Sequence, residues 1–343
     1  MNSNNFIIWD FDPVLFSIPE VQLPFSISIW GLVLAAILFY FGYQQIIPKV
    51  KKGQEPEPPP PAKFWLLLVG SIIIAQLPFL FIDSPSLNSI GPLEPRWYGL
   101  MFAMAFITGY MIGFKMFKDA GRSQEELDRL LIYVLVATII GARLGHVFFY
   151  EADYYLRNIH LIPQVWTGGL ASHGAAVGII IAMYLYARKT AKTTFMWVAD
   201  RVVPGVAIGG MFIRFGNFFN SEILGMPTDV SWAIIFAKVD MLPRHPSMLY
   251  EALLCILVLV VLGWIYYKYE KNPPEGSLFG TFLVMLFTGR FLIEFTKETQ
   301  ANFLAGAALD MGQLLSIPFV LIGIWLLLKK VNWNKAGAPL KKK

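Results

Sequence analysis

Only one cysteine, Cys255, occurs in the 343 residues of this chain. A disulfide within the chain is therefore excluded, and a single thiol cannot hold a metal alone. Histidine is nearly as scarce, at four residues, and no His, Cys, Asp and Glu set has the spacing of metal ligands. Charge is sparse too: 15% of the residues are charged, against about 25% in soluble domains. The net charge of +5 is modest, and its Lys and Arg gather in particular loops, which points to membrane topology and away from nucleic acid. No basic stretch precedes the first apolar block, where Asp10, Asp12 and Glu20 stand instead. That block therefore reads as a retained helix and not as a cleavable signal peptide. Walker-type phosphate loops and serine-centred elbows are missing as well.

What the chain has is apolar residue in bulk. Hydrophobic residues make up 56% of it, and mean hydropathy is +0.56. They come in long blocks divided by short charged stretches, the pattern of a polytopic helical membrane protein. A bilayer-crossing helix needs about 20 mainly apolar residues. Nine blocks qualify: 26–46, 64–82, 97–117, 129–150, 167–187, 197–214, 247–268, 277–296 and 311–329. The sixth is short and carries Pro204, Gly205, Gly209 and Gly210, so a helix there should press closely on its neighbours. Basic loops hold Lys49, Lys51 and Lys52; Lys115, Lys118, Arg122 and Arg129; Arg188, Lys189 and Lys192; Lys268 and Lys271. The tail adds Lys329, Lys330, Lys335 and Lys341 to Lys343. These alternate with loops poor in Lys and Arg, such as 83–94 and 151–164. By the positive-inside rule the N-terminus lies outside and the C-terminus in the cytoplasm. The expected fold is all-α, a polytopic helical membrane protein with about nine transmembrane helices. Its expected parts are residues 1–96, with an arm, two added helices and the stiff linker Gln54–Pro61; a membrane core, 97–330; and a basic tail, 331–343.

Charge at membrane depth is costly and marks function. Arg143 lies in Gly141-Ala-Arg-Leu-Gly-His146, Arg214 in Arg214-Phe-Gly-Asn-Phe-Phe-Asn-Ser-Glu222, and Arg290 in Gly289-Arg-Phe-Leu-Ile-Glu294. The loop pattern puts all three at outer helix ends. Two readings stand for them. One is structural ion pairing, for which Arg290 and Glu294 have the four-residue helix spacing. The other is phosphate binding, since a guanidinium fork matches phosphate oxygens. Asn217, Asn220 and Glu222 crowd the turn beyond Arg214, between Gly216 and Gly225; they line a cavity or cap a helix. His173 opens an apolar helix at the same level, within Gly168-Gly-Leu-Ala-Ser-His-Gly-Ala175. It is a packed histidine or a proton acceptor. His245-Pro246-Ser247 leads into the seventh block, with Tyr250 and Glu251 in its first turns. Asp200 opens the sixth block from the cytoplasmic side and is expected to cap it.

These blocks resemble the prolipoprotein diacylglyceryl transferase family. Gly168–Ala175 resembles its Gly-Gly-x-x-x-His-Gly block. Arg214–Gly225 resembles its signature Gly-Arg-x-Gly-Asn-Phe-x-Asn-x-Glu-x-x-Gly, with Ile213 in place of the leading Gly. Arg244–Glu251 and Gly289–Phe295 resemble two further blocks, Arg96–Met101 the first helix, and Asp12–Ser17 the N-terminal arm. The likeness runs in order over about 97–330.

The resemblance implies transfer of an sn-1,2-diacylglyceryl group from phosphatidylglycerol to the lipobox cysteine of a prolipoprotein, without metal or cofactor. It implies a bacterial inner membrane, with the site toward the periplasm, and partners limited to the lipid, the signal peptide and the bilayer. Catalytic roles fall to His173 as base and to Arg214 and Arg290 on the phosphate. Tyr98, Arg143, Asn217, Asn220, Glu222, Gly225, His245, Tyr250, Glu251 and Glu294 are then expected around the substrate. Three departures stand out. About 80 residues separate the arm from the Trp97 helix, the stretch from Gly225 to His245 is short, and Lys297 stands where the family often has a second Arg. The rival reading is a membrane transporter of an anionic solute, which intramembrane arginines and Gly-broken helices also suit. Such a protein should show two repeated halves, and the only echo here links Trp30-Gly-Leu to Trp97-Tyr-Gly-Leu. A non-catalytic membrane scaffold is a third class, with no need of three arginines on one side.

Overall fold

A bilayer offers no water to backbone N–H and C=O groups, so long apolar blocks satisfy those groups within helices. The computed structural model describes residues 6–17, 19, 21–22, 35–36, 38–40, 61–76, 89–90, 94–165, 168–297 and 309–334. The chain divides into two compact units, Val14–Arg96 and a larger one joining Met1–Pro13 to Trp97–Lys343. Strand β1 (Ile7–Trp9) belongs to the larger unit. The smaller unit holds β2 (Val21–Gln22), α1 (Pro61–Gln76) and β3 (Ser89–Ile90), with β2 and β3 antiparallel. Of the two added spans, 26–46 lies outside the described residues except for 35–36 and 38–40, and 64–82 is described only to Gln76.

The larger unit continues with α2 (Trp97–Asp119), α3 (Gln124–Phe149), α4 (Ala152–Arg157), α5 (Ser172–Leu185) and α6 (Phe195–Phe219). Strands β4 (Ile234–Phe236) and β5 (Pro243–Arg244) follow, then α7 (Ser247–Lys268), α8 (Ser277–Glu294) and α9 (Met311–Lys329). Among the described residues, six helices are long and apolar enough to cross a membrane: α2, α3, α6, α7, α8 and α9. This is a multi-pass helical membrane protein. Helix α5 has only 14 residues, but the π-helical stretch Tyr186–Ala191 continues it. Together they reach about 30 Å at the helical rise per residue. Helix α6 runs past the expected end at 214, because the polar residues beyond Arg214 find partners inside the protein.

Glycines set the closest helix approaches. A Cβ on Gly174 of α5 would overlap the Gly141 carbonyl of α3 and lie 2.7 Å from Gly145 Cα. One on Gly178 would overlap the Ala137 carbonyl. The glycine beside His173 thus serves a backbone-to-backbone contact between α3 and α5. Gly205 of α6 faces Gly109 of α2, each added Cβ meeting the opposite carbonyl at 3.3–3.4 Å. A buried core of Val203 and Ala207 on α6, Val258 and Leu262 on α7, Leu278 on α8 and Leu326 on α9 joins the remaining helices.

Asp200 corrects an expectation. Helix α6 starts at Phe195 and is capped by Thr194, whose Oγ1 accepts from Trp197 N–H at 3.0 Å. Asp200, 1% exposed, instead accepts from the N–H groups of Gly276 at 2.7 Å and Phe279 at 2.8 Å. It caps α8, whose N-terminal N–H groups lack helical partners and favour an anion.

At the opposite end the N-terminal arm closes on α2 and α6. Strand β1 pairs in parallel with β4, and β4 pairs antiparallel with β5. Trp9 lies 4.1 Å from the Phe218 ring, Phe11 lies 5.3 Å from Phe219, and Trp97 stacks on Phe219 at 5.1 Å. Trp97 N–H donates to Pro13 C=O at 3.0 Å. This aromatic cluster fixes the start of α2, and with it Tyr98, against the last turns of α6.

Candidate active site

The C-terminal end of α6 carries a row of hydrogen bonds. Arg214 Nη1 donates to Asn217 Oδ1 at 3.4 Å, Asn217 Nδ2 to Glu222 Oε2 at 3.1 Å, and Asn220 Nδ2 to Glu222 Oε1 at 3.0 Å. Arg214 and Asn217 share a face because they stand three apart on a helix. Beyond Asn220 the chain turns through Ser221 (φ 55°) and Ile223 (φ 58°). Such left-handed conformations cost about 1–3 kcal/mol each, and here they fold Glu222 back over the helix end. Gly225 follows, with no room for a side chain: a Cβ would lie 2.5 Å from His245 Cβ and from Ser247 Oγ. Its N–H donates to His245 C=O at 3.0 Å, and its C=O accepts from Arg244 Nη1 at 3.1 Å. Tyr98 reaches the same helix face, its ring 2.8 Å from where a Gly216 Cβ would stand.

Helices α7 and α8 add buried charge. Glu251 is 3% exposed. Its Oε2 lies 2.7 Å from Arg214 Nε, and its Oε1 lies 3.0 Å from Lys297 Nζ. The Arg214 contact is an ion pair with its N–H turned aside, so Oε2 accepts no aligned hydrogen bond. Lys297 also reaches Glu294 Oε2 at 3.1 Å. The Arg290–Glu294 pair that the spacing allowed is not made, and among the described residues Arg290 has no hydrogen-bond or ion-pair partner. Two glycines bring α6 and α8 onto neighbouring residues of α7. Gly210, one turn before Arg214, lets α6 approach Cys255 Sγ, 3.0 Å from an added Cβ. Gly289, next to Arg290, packs on the Leu254 side chain, which an added Cβ would overlap. Arg214, Glu251 and Arg290 all lie within electrostatic range of Cys255. Both arginines thus come near α7 around Cys255, Arg214 held by a carboxylate and Arg290 unpaired among the described residues.

Arg143 is spent elsewhere. It is 3% exposed, and its Nε donates to Ile162 C=O at 2.8 Å, Nη1 to Gly168 C=O at 2.7 Å, and Nη2 to Leu161 C=O at 2.7 Å. Its guanidinium also lies 4.8 Å from the Tyr155 ring centre. It clamps the loop that leads into α5 through backbone carbonyls and makes no ion pair among the described residues. Gly168 (φ 87°) and Gly169 (φ 67°) turn that loop over His146 and Arg143. His173, second in α5, is exposed, and among the described residues no hydrogen bond or ion pair links it to either Arg214 or Arg290. His245 Nδ1 lies 3.1 Å from Tyr250 Oη, which also accepts from Trp232 Nε1 at 2.7 Å. Through His245 this group adjoins Gly225.

Sequence reasoning set Lys297 aside as a departure, although its three-residue spacing from Glu294 was a usable signal. Arg244 was seen only as part of a motif. Its Nη2 lies 2.6 Å from Asp240 Oδ2, and hydrogen bonds from Arg244 hold the Asp240 carboxyl below the usual carboxylate range. Trp232 gave no sequence signal at all.

Comparison with known proteins bears on this geometry. The profile of the family described as prolipoprotein diacylglyceryl transferase matches residues 85–329. A phosphatidylglycerol–prolipoprotein diacylglyceryl transferase of Chloroherpeton thalassium is 46% identical over 255 residues, covering 74% of this chain and 95% of the relative. One from Tolumonas auensis is 44% identical over 244 residues, covering 71% and 94%. One from Bacteroides fragilis is 41% identical over 256 residues, covering 71% and 92%.

Proposed function

This chain belongs to the prolipoprotein diacylglyceryl transferase family, and on that premise we propose that its polar pocket moves the diacylglyceryl group of phosphatidylglycerol onto the lipobox cysteine of a prolipoprotein. The observation that carries the reading is the pair of arginines flanking α7, with Arg290 unpaired among the described residues. A transporter of an anionic solute finds no support among the relatives, which are named transferases.

The nucleophile is the cysteine thiolate of the substrate. Its sulfur attacks the terminal glycerol carbon of the diacylglyceryl group. A C–S bond forms, the C–O bond to phosphate breaks, and the electron pair stays on the phosphate oxygen. The headgroup leaves as glycerol phosphate, and its phosphate passes from one negative charge to two. Fixed donors aimed at developing charge in a dry site favour that change strongly. Arg290 offers a whole guanidinium fork. Arg214 turns Nε to Glu251 and keeps Nη2 unengaged among the described residues. His173 takes the thiol proton in this reading, its imidazole exposed at the start of α5. Tyr98, Asn217, Asn220, Glu222, Gly225 and Tyr250 shape the pocket around the lipid headgroup, Glu294 is engaged by Lys297, and Arg143 holds the loop that leads into α5 and His173.

The same proposal sets the protein in the inner membrane with about nine spans, its N-terminus outside and its pocket facing the periplasm. Support comes from the helix ends. Arg214, Glu251 and Arg290 lie at the ends opposite Lys115, Lys118, Lys268, Lys329 and Lys330, and basic ends stay in the cytoplasm. The testing experiment incubates purified protein with labelled phosphatidylglycerol and two lipobox peptides, one with Cys and one with Ser. Label on the Cys peptide alone is the expected result; label on neither, with folded protein, overturns the reading.

A further inference from the structure

Lys297 lies three residues beyond the end of α8, and its side chain is 6% exposed. Its Nζ is 3.0 Å from Glu251 Oε1 and 3.1 Å from Glu294 Oε2. An ammonium has three donors, so one lysine serves carboxylates from two helices at once. Its backbone is fixed as well. Lys297 N–H donates to Glu294 C=O at 3.0 Å, residue 297 bridges to Gly225, and Met226 N–H donates to Thr296 C=O at 2.8 Å. On its other side the Glu294 carboxylate packs against the first turn of α9, where a Cβ on Gly312 would lie 3.0 Å from Oε2.

Charge bookkeeping shows what this lysine does. Buried carboxylates pair with whatever cation is within reach. Glu294 stands four residues after Arg290 on α8, the spacing at which opposite charges meet on a helix surface. Glu251 already faces Arg214. With a neutral residue at 297, Glu294 would turn to Arg290 and Glu251 would keep Arg214. Two cations would then face two carboxylates, and an arriving phosphate would compete with both. With Lys297 present, three cations share two carboxylates, and the net positive charge rests on Arg290. We infer that Lys297 is a positioning residue: by holding Glu251 and Glu294 together it keeps Arg290 free for the phosphate of the lipid. The inference rests on the transfer reading above.

The test compares wild type, Lys297→Met and the double variant Lys297→Met/Glu294→Gln. Each is checked for folding by thermal unfolding in detergent, then assayed for kcat and KM toward phosphatidylglycerol in mixed micelles. Lys297→Met should lower kcat/KM by about 10²-fold, the scale of one lost donor to developing charge, with KM for the lipid raised. The double variant removes the carboxylate that would capture Arg290 and restores the net charge, so it should return to within about tenfold of wild type. A lysine needed only for folding gives no such rescue. Wild-type kinetics in Lys297→Met overturn the inference, as does a folded double variant no faster than the single one. If Lys297→Met does not fold, the double variant alone decides, since a folded and inactive double variant overturns the inference. An inactive wild type sinks the transfer reading itself, whereas an active wild type with an unaffected Lys297→Met sinks this inference alone.

Discussion

Arg214 of α6 and Glu251 of α7 lie 2.7 Å apart, Nε to Oε2, and Glu251 turns its other oxygen to Lys297 at 3.0 Å. One buried carboxylate therefore holds two cations. Breaking a buried ion pair by removing one partner costs about 3–5 kcal/mol, because the remaining charge is stranded. Glu251→Ala should lower the thermal midpoint of the detergent-solubilised protein well below that of Glu251→Gln, which keeps the shape and one acceptor. Wild-type midpoints in both variants would mean that the network contributes nothing to stability.

The seam between α3 and α5 makes a different prediction. Gly174 cannot carry a Cβ without striking the Gly141 carbonyl. Gly174→Val should separate the helices and reduce folded protein, at an overpacking cost of about 1–3 kcal/mol or more. Gly99→Ala is the control, since nothing lies within 4 Å of its added Cβ. Size-exclusion recovery of the two variants side by side checks this, and equal recovery would contradict it.

Asp200 gives a test remote from the pocket. It supplies both acceptors for the first turn of α8, at 2.7 and 2.8 Å. Asp200→Ala should destabilise the protein by about 0.5–2 kcal/mol, the range for a lost N-cap. Hydrogen exchange should show faster exchange at Gly276 and Phe279 in particular. Unchanged protection at those two amides would remove the capping role.

The pH response of the β4–β5 hairpin follows from Asp240. Hydrogen bonds from Arg244 lower its pKa in the folded protein. Its stabilisation is thus full above the unfolded-state pKa and is lost as pH falls through the lower folded-state value. Amide protection of Leu242, whose N–H donates to Asp240 Oδ1 at 3.1 Å, should hold through mildly acidic pH and fall only below the usual carboxylate range. Asp240→Asn should lack that transition. A transition that persists in the variant would assign it to another group.

Much of this was legible in the sequence, and the reasons for the exceptions are physical. The bounds of α7 and α9 follow from apolar run length, since Glu251 in α7 and Gln313 and Ser316 in α9 lie in the first two turns and leave the long apolar run behind them intact. Arg214, Asn217 and Glu222 were readable as a unit because helix spacing and a tight turn bring near neighbours together. Asp200 was misread as a cap of its own helix because its partners, Gly276 and Phe279, are remote in sequence. Arg290 looked pairable with Glu294 on spacing, and only packing reveals that Lys297 takes that carboxylate. Arg143 offered the same guanidinium as Arg214, but carbonyls of a loop with no periodic signal claim it.

The most direct test of the central claim is glycerol phosphate release from phosphatidylglycerol, driven by a cysteine lipobox peptide, in wild type, Arg214→Ala and Arg290→Ala. The account predicts a loss of about 10²–10³-fold in kcat for Arg290→Ala, the scale of one missing donor to developing charge, with KM for the peptide unchanged and a comparable loss for Arg214→Ala. Wild-type release rates in both variants would contradict it.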